Sequence, residues 1–141
     1  MTKEKLEQVY FITKEIDMWR RELQRLRCKS EVGSLKLDGM PKGSVSGSAT
    51  EQTALAIGEC QEIIIEKLKE MEAARREVII FIKGIDDSQV RQIVYYRNCC
   101  LMPWKEVAKM IGDGYSSESI RQTYRRFINK NCHTCHTDNK I

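Results

Sequence analysis

Residues 103–127 read PWKEVAKMIGDGYSSESIRQTYRRF, and the order of helix signals in this stretch decides the fold. Pro103 suits the first turn of a helix, because the N–H that proline lacks would have no helical partner there. Gly112 suits the end of that helix, and Ser116 or Ser117 suits the N-cap of the next one. The stretch therefore predicts two short helices joined by a tight turn.

A third short helix is predicted just before these two, from about Ser88 to Leu101, with Asp86 or Asp87 as its cap. Three short helices with a glycine-containing turn before the last form the helix-turn-helix pattern, which we place at residues 85–130. The apolar residues of the three helices recur at helical spacing and are expected to pack inward: Val90, Ile93, Val94, Leu101, Trp104, Val107, Ala108, Ile111, Ile120, Tyr124 and Phe127. Tyr95 and Tyr96 are also expected in the core.

The outward face of the last helix, residues 117–130, is rich in groups that recognise DNA. Arginine can bond a guanine edge at two points, glutamine can do the same with adenine, and a helix start can meet a phosphate. On the preceding helix, Lys105 and Lys109 lie one turn apart and could grip the DNA backbone. The predicted partner is double-stranded DNA, and the other expected contacts are Ser116, Ser117, Glu118, Arg121, Gln122, Arg125 and Arg126.

The first 84 residues predict a long, coiled-coil-like helical hairpin, so that the whole fold is expected to be all-α. A helix over about 2–28 carries a heptad seam, and a second helix over about 50–83, ended by Gly84, carries another apolar stripe. Glycine and serine mark residues 29–50 between them as a flexible linker. The seam of the first helix consists of Val9, Ile12, Ile16, Trp19, Leu23 and Leu26.

The hairpin also predicts self-association, because two such helices expose more apolar surface than one small domain can cover. We expect a homodimer or a higher homo-oligomer, which would place two recognition helices on separate half-sites. The longest apolar run, Val78–Ile82, is too short to cross a bilayer, and no hydrophobic leader follows Met1. We therefore expect a cytoplasmic protein with reduced cysteines and no membrane partner.

Residues 90–127 resemble region 4 of the sigma-70 factors, the domain that reads the −35 promoter element with its last helix. The resemblance rests on Trp104, the Val107-Ala108 pair, Gly112 and the stretch from Ser117 to Arg121. With the preceding helical segment and the Gly39-Met-Pro-Lys-Gly-Ser linker, the layout resembles short phage and prophage regulators of the ArpU/RinA-like kind. The resemblance implies a bacterial host cytoplasm and activation of late phage genes.

Two other functions remain open at this point. Region-4-like domains also bind RNA polymerase, so the chain could be a polymerase-binding adaptor with little DNA affinity of its own. A small terminase subunit for phage DNA packaging also joins a helix-turn-helix to helical oligomerisation elements, although in the reverse order. We do not expect an enzyme, because residues 1–132 contain no histidine and the chain has no phosphate-binding loop or paired acid cluster.

The polar tail, residues 131–141, contains a Cys-x-x-Cys-His sequence. Its spacing is that of covalent haem attachment, but haem attachment requires export, so we expect no cofactor. We also expect no resident metal. The alternative is zinc, which needs four tetrahedral ligands, with Cys99 and Cys100 or a second chain helping the tail residues Cys132, His133, Cys135 and His136.

Overall fold

The computed structural model describes residues 1–35 and 46–132, without the side chains of residues 33–35 and 46–48. The regular elements in these ranges are all helical, which confirms the all-α prediction. Within the described ranges, no helix is both long enough and apolar enough to span a membrane. The helices are α1 (Lys3–Leu35), α2 (Ser46–Lys83), α3 (Ser88–Val94, continued by a π-helical turn over Tyr95–Cys99), α4 (Trp104–Ile111) and α5 (Ser117–Asn131).

The two long helices extend into the segment predicted as a linker, residues 29–50. Helix α1 continues to Leu35 and α2 begins at Ser46, so the prediction placed both linker boundaries too far into the helices. Lys29, Ser30 and Glu31 are compatible with a helix, and one glycine in a helix costs only about 1 kcal/mol. The remainder of the predicted linker, residues 36–45, lies outside the described residues.

Two compact units make up the chain, and their boundary differs from the one predicted between residues 84 and 85. The first, here called the C-terminal unit, combines Met1–Phe11 with Met71–Ile141, and the second, the hairpin unit, is Ile12–Glu70. The first turns of α1 and the end of α2 belong to the C-terminal unit because they share one core with the shorter helices. That core contains Leu6, Val9, Val78, Ile82, Ile85, Val90, Val94, Cys99, Ile128 and Cys132.

Within the hairpin unit, α1 and α2 run antiparallel. The Lys67 ammonium lies 3.5 Å from the Glu15 carboxylate, and the Cys60 thiol donates to the carbonyl of Trp19. The heptad seam of α1 is confirmed here, since Ile12, Ile16 and Leu26 are buried and Trp19 and Leu23 are half-buried.

The helix predicted over 88–101 is interrupted by a π-helical turn. Its α-helical part is capped as predicted by Asp87, whose carboxylate accepts from the backbone N–H groups of Gln89 and Val90. From Tyr95 to Cys99 the hydrogen bonds span five residues, and the backbone N–H of Cys100 donates to the carbonyl of Tyr95. Such turns insert one residue and rotate the side chains that follow.

The burial of residues in this π-helical turn departs from the sequence expectation. Asn98 and Cys99 are buried, whereas Tyr95, expected in the core, is 36% exposed. Leu101 follows the turn with a φ of 56°, a left-handed conformation that is uncommon for a residue with a side chain. The π-helical turn therefore decides which side chains between Tyr95 and Cys99 are buried.

Candidate nucleic-acid interface

A short turn with two special backbone positions joins α4 to α5. Gly112 and Gly114 have φ angles of 148° and 103°, which residues with a Cβ rarely adopt. Ser116 then caps α5 as predicted, since its hydroxyl oxygen accepts from the backbone N–H of Ser119 at 3.1 Å. The glycines and the cap together fix the direction in which α5 leaves the turn.

One small buried cluster holds α3, α4 and α5 together. It consists of Ile93, Val107, Ala108 and Ile120, all of which were predicted to face inward. Half-buried Trp104 packs against the cluster, and its indole meets the ring of Tyr124 edge-on at a centroid distance of 5.1 Å. These contacts orient α5 so that its opposite face points away from the core.

The inner face of α5 differs in one respect from the prediction. Ile128 is buried, whereas Phe127, expected to anchor α5 against the other short helices, is half-buried. The ring of Phe127 instead lies 6.1 Å from that of Phe81 on α2. The spacing of Ile120, Tyr124 and Ile128 by four residues is the sequence signal that could have identified Ile128.

The predicted recognition residues lie together on the solvent-facing side of α5. Glu118, Gln122, Arg125 and Arg126 are exposed, whereas Ser117 and Arg121 are half-buried at the edge of this face. We call the six residues the α5 face. The face combines side chains that can bond base edges with cations that can bond phosphates.

Glu118 contacts two of the other residues in the α5 face. Its carboxylate lies 3.6 Å from the guanidinium of Arg121 and accepts from the side-chain amide of Gln122 at 3.4 Å. All three side chains belong to the first two turns of α5, and an ion pair this open to solvent contributes little to stability. The contacts can therefore be exchanged for contacts to a ligand at small cost.

On one side of α5, the lysines of α4 lie beside the turn. Lys105 and Lys109 are exposed, and with Tyr115 and Ser117 they line a shallow depression of about 280 Å³. The depression thus brings the two predicted backbone-gripping lysines next to the start of α5. Tyr115 is itself exposed on its rim.

On the other side of α5 is a larger groove of about 560 Å³, here called the arginine groove. Arg121 and Arg125 line it from α5, and Lys3 and Arg97 line it from the start of α1 and the π-helical turn. Lys3 and Arg97 were not predicted, and no sequence signal connects Lys3 with residues more than ninety positions away. The full lining is Lys3, Leu6, Glu7, Tyr10, Phe11, Arg97, Asn98, Leu101, Pro103, Trp104, Arg121, Tyr124 and Arg125.

One wall of the arginine groove is held in place by contacts around Trp104. The guanidinium of Arg97 lies 4.7 Å from the centre of the Trp104 ring and donates to the carbonyl of Met102 at 2.8 Å. Burial raises the pKa of the Tyr124 hydroxyl, and interaction with the Asn98 side chain acts in the opposite direction. The cation–π contact and the half-buried ring of Tyr124 both favour a rigid wall.

Cys132, one of the tail residues predicted as an alternative metal ligand, is part of the core. Its thiol is buried, and burial raises its pKa, which disfavours the thiolate that a metal would need. The other predicted alternative ligands, His133, Cys135 and His136, lie outside the described residues. Among residues 1–35 and 46–132, no group of three or more metal-binding side chains occurs.

The α5 face, the α4 lysines and the arginine groove are thus all displayed by the C-terminal unit. No family model matches this chain, and comparisons with curated proteins and with solved structures also give no match.

Proposed function

We propose that this protein is a sequence-specific, double-stranded DNA-binding transcription regulator that reads the major groove with α5. The observation that carries the proposal is the two-sided character of α5. Ile120 and Ile128 are buried on one side, and Gln122, Arg125 and Arg126 are exposed on the other. A helix-turn-helix needs this arrangement, since the core must hold the recognition helix while its polar side enters the groove.

Each element of the surface has a distinct role in the proposal. Gln122 and Arg125 are the residues best placed to read base edges, because both are exposed near the middle of α5. Lys105 and Lys109 contact the phosphate backbone from α4, and the start of α5 at Ser116 meets another phosphate. Glu118 releases Arg121 and Gln122 when DNA binds and can itself accept from a cytosine amino group.

The biological setting of the proposal comes from the resemblance to sigma-70 region 4 and to ArpU/RinA-like regulators. It is the activation of late phage genes in the cytoplasm of a bacterial host. The connection between α4 and α5 supports this setting, since Gly112 and the Ser116 cap lie where the resemblance places the turn. RNA polymerase is then a second partner of the same unit.

Self-association is part of the same proposal. In the hairpin unit, Met18, Leu55 and Ile65 are 49%, 64% and 53% exposed. Because roughly half of each side chain is already covered, burying the remainder stabilises an interface by about 0.8–1.5 kcal/mol each. A dimer formed in this way presents two α5 helices to two half-sites on DNA.

The test is to select bound fragments from the source genome and to titrate the best fragment with protein at several salt concentrations. We expect enrichment of one site and an affinity that falls steeply as salt rises, because each neutralised phosphate releases counterions. Arg125→Ala should weaken specific binding by about 1–3 kcal/mol and relax the preference for one base. Lys130→Ala, which removes an exposed charge from the last turn of α5, is the matched control.

The outcomes separate the proposal from its alternatives. Equal binding by Arg125→Ala and the natural chain would refute the recognition role of α5. Unselective, weak DNA binding together with capture of RNA polymerase would favour the adaptor, and ring-sized oligomers would favour the terminase subunit.

A further inference from the structure

The arginine groove has a wall composition that major-groove reading does not require. Lys3 and Arg97 do not belong to the α4–α5 pair, yet they line the same groove of about 560 Å³ as Arg121 and Arg125. This volume falls in the range of about 300–1,000 Å³ in which small-molecule sites occur. All the lining residues belong to the C-terminal unit.

The charge of the groove selects an anion. Four cationic side chains line it, against the single carboxylate of Glu7. The start of α4 also reaches the groove at Pro103, where no side chain caps the helix. Uncapped backbone N–H groups at a helix start attract negative charge, and arginine pairs bind phosphate or carboxylate with fixed geometry.

The apolar part of the groove suits a planar ring. Trp104 and Tyr124 form one wall, and Tyr10 and Phe11 of α1 lie in the lining as well. Phe11 is 58% exposed, so a large apolar surface stands open beside the cations. Aromatic side chains favour stacked or edge-on contacts with another ring, and arginine adds a cation–π contact.

Asn98 brings to the groove a buried acceptor atom that has no hydrogen-bond partner within residues 1–35 and 46–132. It is 95% buried, with a relative exposure of 5%, and it lines the groove. Its side-chain amide donates to the carbonyl of Leu6 at 3.2 Å, and its Oδ1 atom has no hydrogen-bond partner among the described residues. Unpaired buried acceptors are costly, so such an atom calls for a donor.

We propose that the arginine groove binds a small organic anion of the nucleoside monophosphate class. The phosphate lies against Arg121 and Arg125, the base packs on Trp104, and an N–H group of the base donates to Asn98 after a small adjustment of the wall. Because Arg121 and Arg125 also belong to the α5 face, the bound nucleotide competes with DNA. This last consequence rests on the proposed function, whereas nucleotide binding does not.

The experiment compares adenosine 5′-monophosphate with adenosine, which differs only in lacking the phosphate. Calorimetric titration of the full chain measures binding, and the Trp19→Phe variant leaves Trp104 as its single tryptophan, so that fluorescence reports the groove. We expect saturable binding of the monophosphate with a change in Trp104 emission, and affinity for adenosine lower by about tenfold or more. Arg125→Ala should weaken monophosphate binding by a similar factor, and Lys130→Ala should leave it unchanged.

Three results would overturn the proposal. The first is the absence of both binding heat and a change in Trp104 emission at millimolar monophosphate, when circular dichroism shows that the chain is folded and helical. The second is equal affinity for adenosine and its monophosphate. The third is a change in Trp104 emission with duplex DNA but not with the monophosphate, which would show that the groove binds the DNA backbone. Monophosphate binding by a chain with no DNA affinity would instead refute the proposed function and leave the groove assignment standing.

Discussion

The C-terminal unit and the hairpin unit bury their apolar side chains in different ways. In the C-terminal unit, several elements surround each central residue, and Val78, Ile93, Val94 and Val107 have no exposed surface. In the described part of the hairpin unit only two helices meet, so each helix covers one stripe of the other. The C-terminal unit therefore encloses its central side chains on all sides, whereas each hairpin helix covers the other along a single stripe.

Both units carry ion pairs on their surfaces, and Glu118 with Arg121 is an example in the C-terminal unit. In the hairpin unit, the ion pairs lie on the helix surface, and Glu22 with Arg25 is an example at 2.6 Å. The hydrogen bond from Arg25 lowers the pKa of Glu22, but surface pairs contribute little to stability. In the C-terminal unit, the side chain of Arg91 donates to the carbonyl of Ile85 and so ties α3 to the segment that connects it to α2.

The largest effect is expected from truncating the same residue type in the two units. Ile93→Ala leaves a cavity in a fully enclosed site of the C-terminal unit and should lower the free energy of unfolding by about 3–5 kcal/mol. Ile16→Ala, in the two-helix hairpin unit, should cost about 2 kcal/mol, because one side of that site can relax towards solvent. Urea unfolding followed by circular dichroism measures both.

Amide hydrogen exchange supplies the control for this pair. We expect Ile16→Ala to accelerate exchange in the hairpin unit alone and Ile93→Ala to accelerate it throughout α3, α4 and α5. If Ile16→Ala and Ile93→Ala lower the free energy of unfolding equally and accelerate exchange in the same residues, the two units unfold as one cooperative core. The contrast between the two units would then be refuted.

The second expected effect concerns the open apolar surface of the hairpin unit. Replacing both Leu55 and Ile65 by serine removes two exposed apolar side chains and should weaken self-association by at least about 1.5 kcal/mol, or roughly tenfold. Sedimentation equilibrium over a range of concentrations measures the change. The helical content should stay the same, because neither side chain is buried in the described chain.

Ile80→Ser is the matched control for this variant, since Ile80 is 70% exposed but lies in the C-terminal unit. We expect its self-association to equal that of the natural chain. Loss of association in Ile80→Ser with none in the double variant would move the interface to the C-terminal unit.

The start of α3, both ends of α4 and the start of α5 were the features that the sequence predicted best. Asp87 and Ser116 cap their helices as expected, and Pro103 and Gly112 bound α4 within one residue. These signals are local, because each depends on hydrogen bonds within about four residues along the chain. The outward position of Gln122 and Arg125 followed from the same local pattern, once Ile120 was assigned to the core.

Features that depend on distant residues were not predictable from the sequence. The π-helical turn that directs Asn98 inward has no local sequence signal. The buried side-chain amide of Asn98 donates a hydrogen bond to the carbonyl of Leu6, ninety-two positions earlier. Leu6 itself was left out of the predicted seam, because the core that encloses it is formed mainly by residues between Val78 and Cys132. The arginine groove is lined by both the start of α1 and the π-helical turn, so it forms only when the unit is folded.

The smallest expected effect is a loss of stability of the C-terminal unit at high pH. All five tyrosines belong to this unit, and burial raises the pKa of Tyr124 above its ordinary value of 10.0. A raised pKa in the folded state means that the stabilisation is complete below about pH 10 and is lost as the pH rises from there through the folded-state pKa. The slope that one such group contributes is at most about 1.4 kcal/mol per pH unit.

Tyr124→Phe should therefore flatten the decline in the free energy of unfolding above pH 10, as measured by urea titrations from pH 9 to pH 11.5. Cys99 and Cys132 also have pKa values raised by burial, so a shallower decline that begins near pH 9 should persist in this variant. Tyr115→Phe, at an exposed ring in the turn, is the control and should keep the full decline. If the decline in the free energy of unfolding is as steep in Tyr124→Phe as in the natural chain, the Tyr124 phenol is no more buried than that of Tyr115. The core of the C-terminal unit would then not extend to Tyr124 of α5.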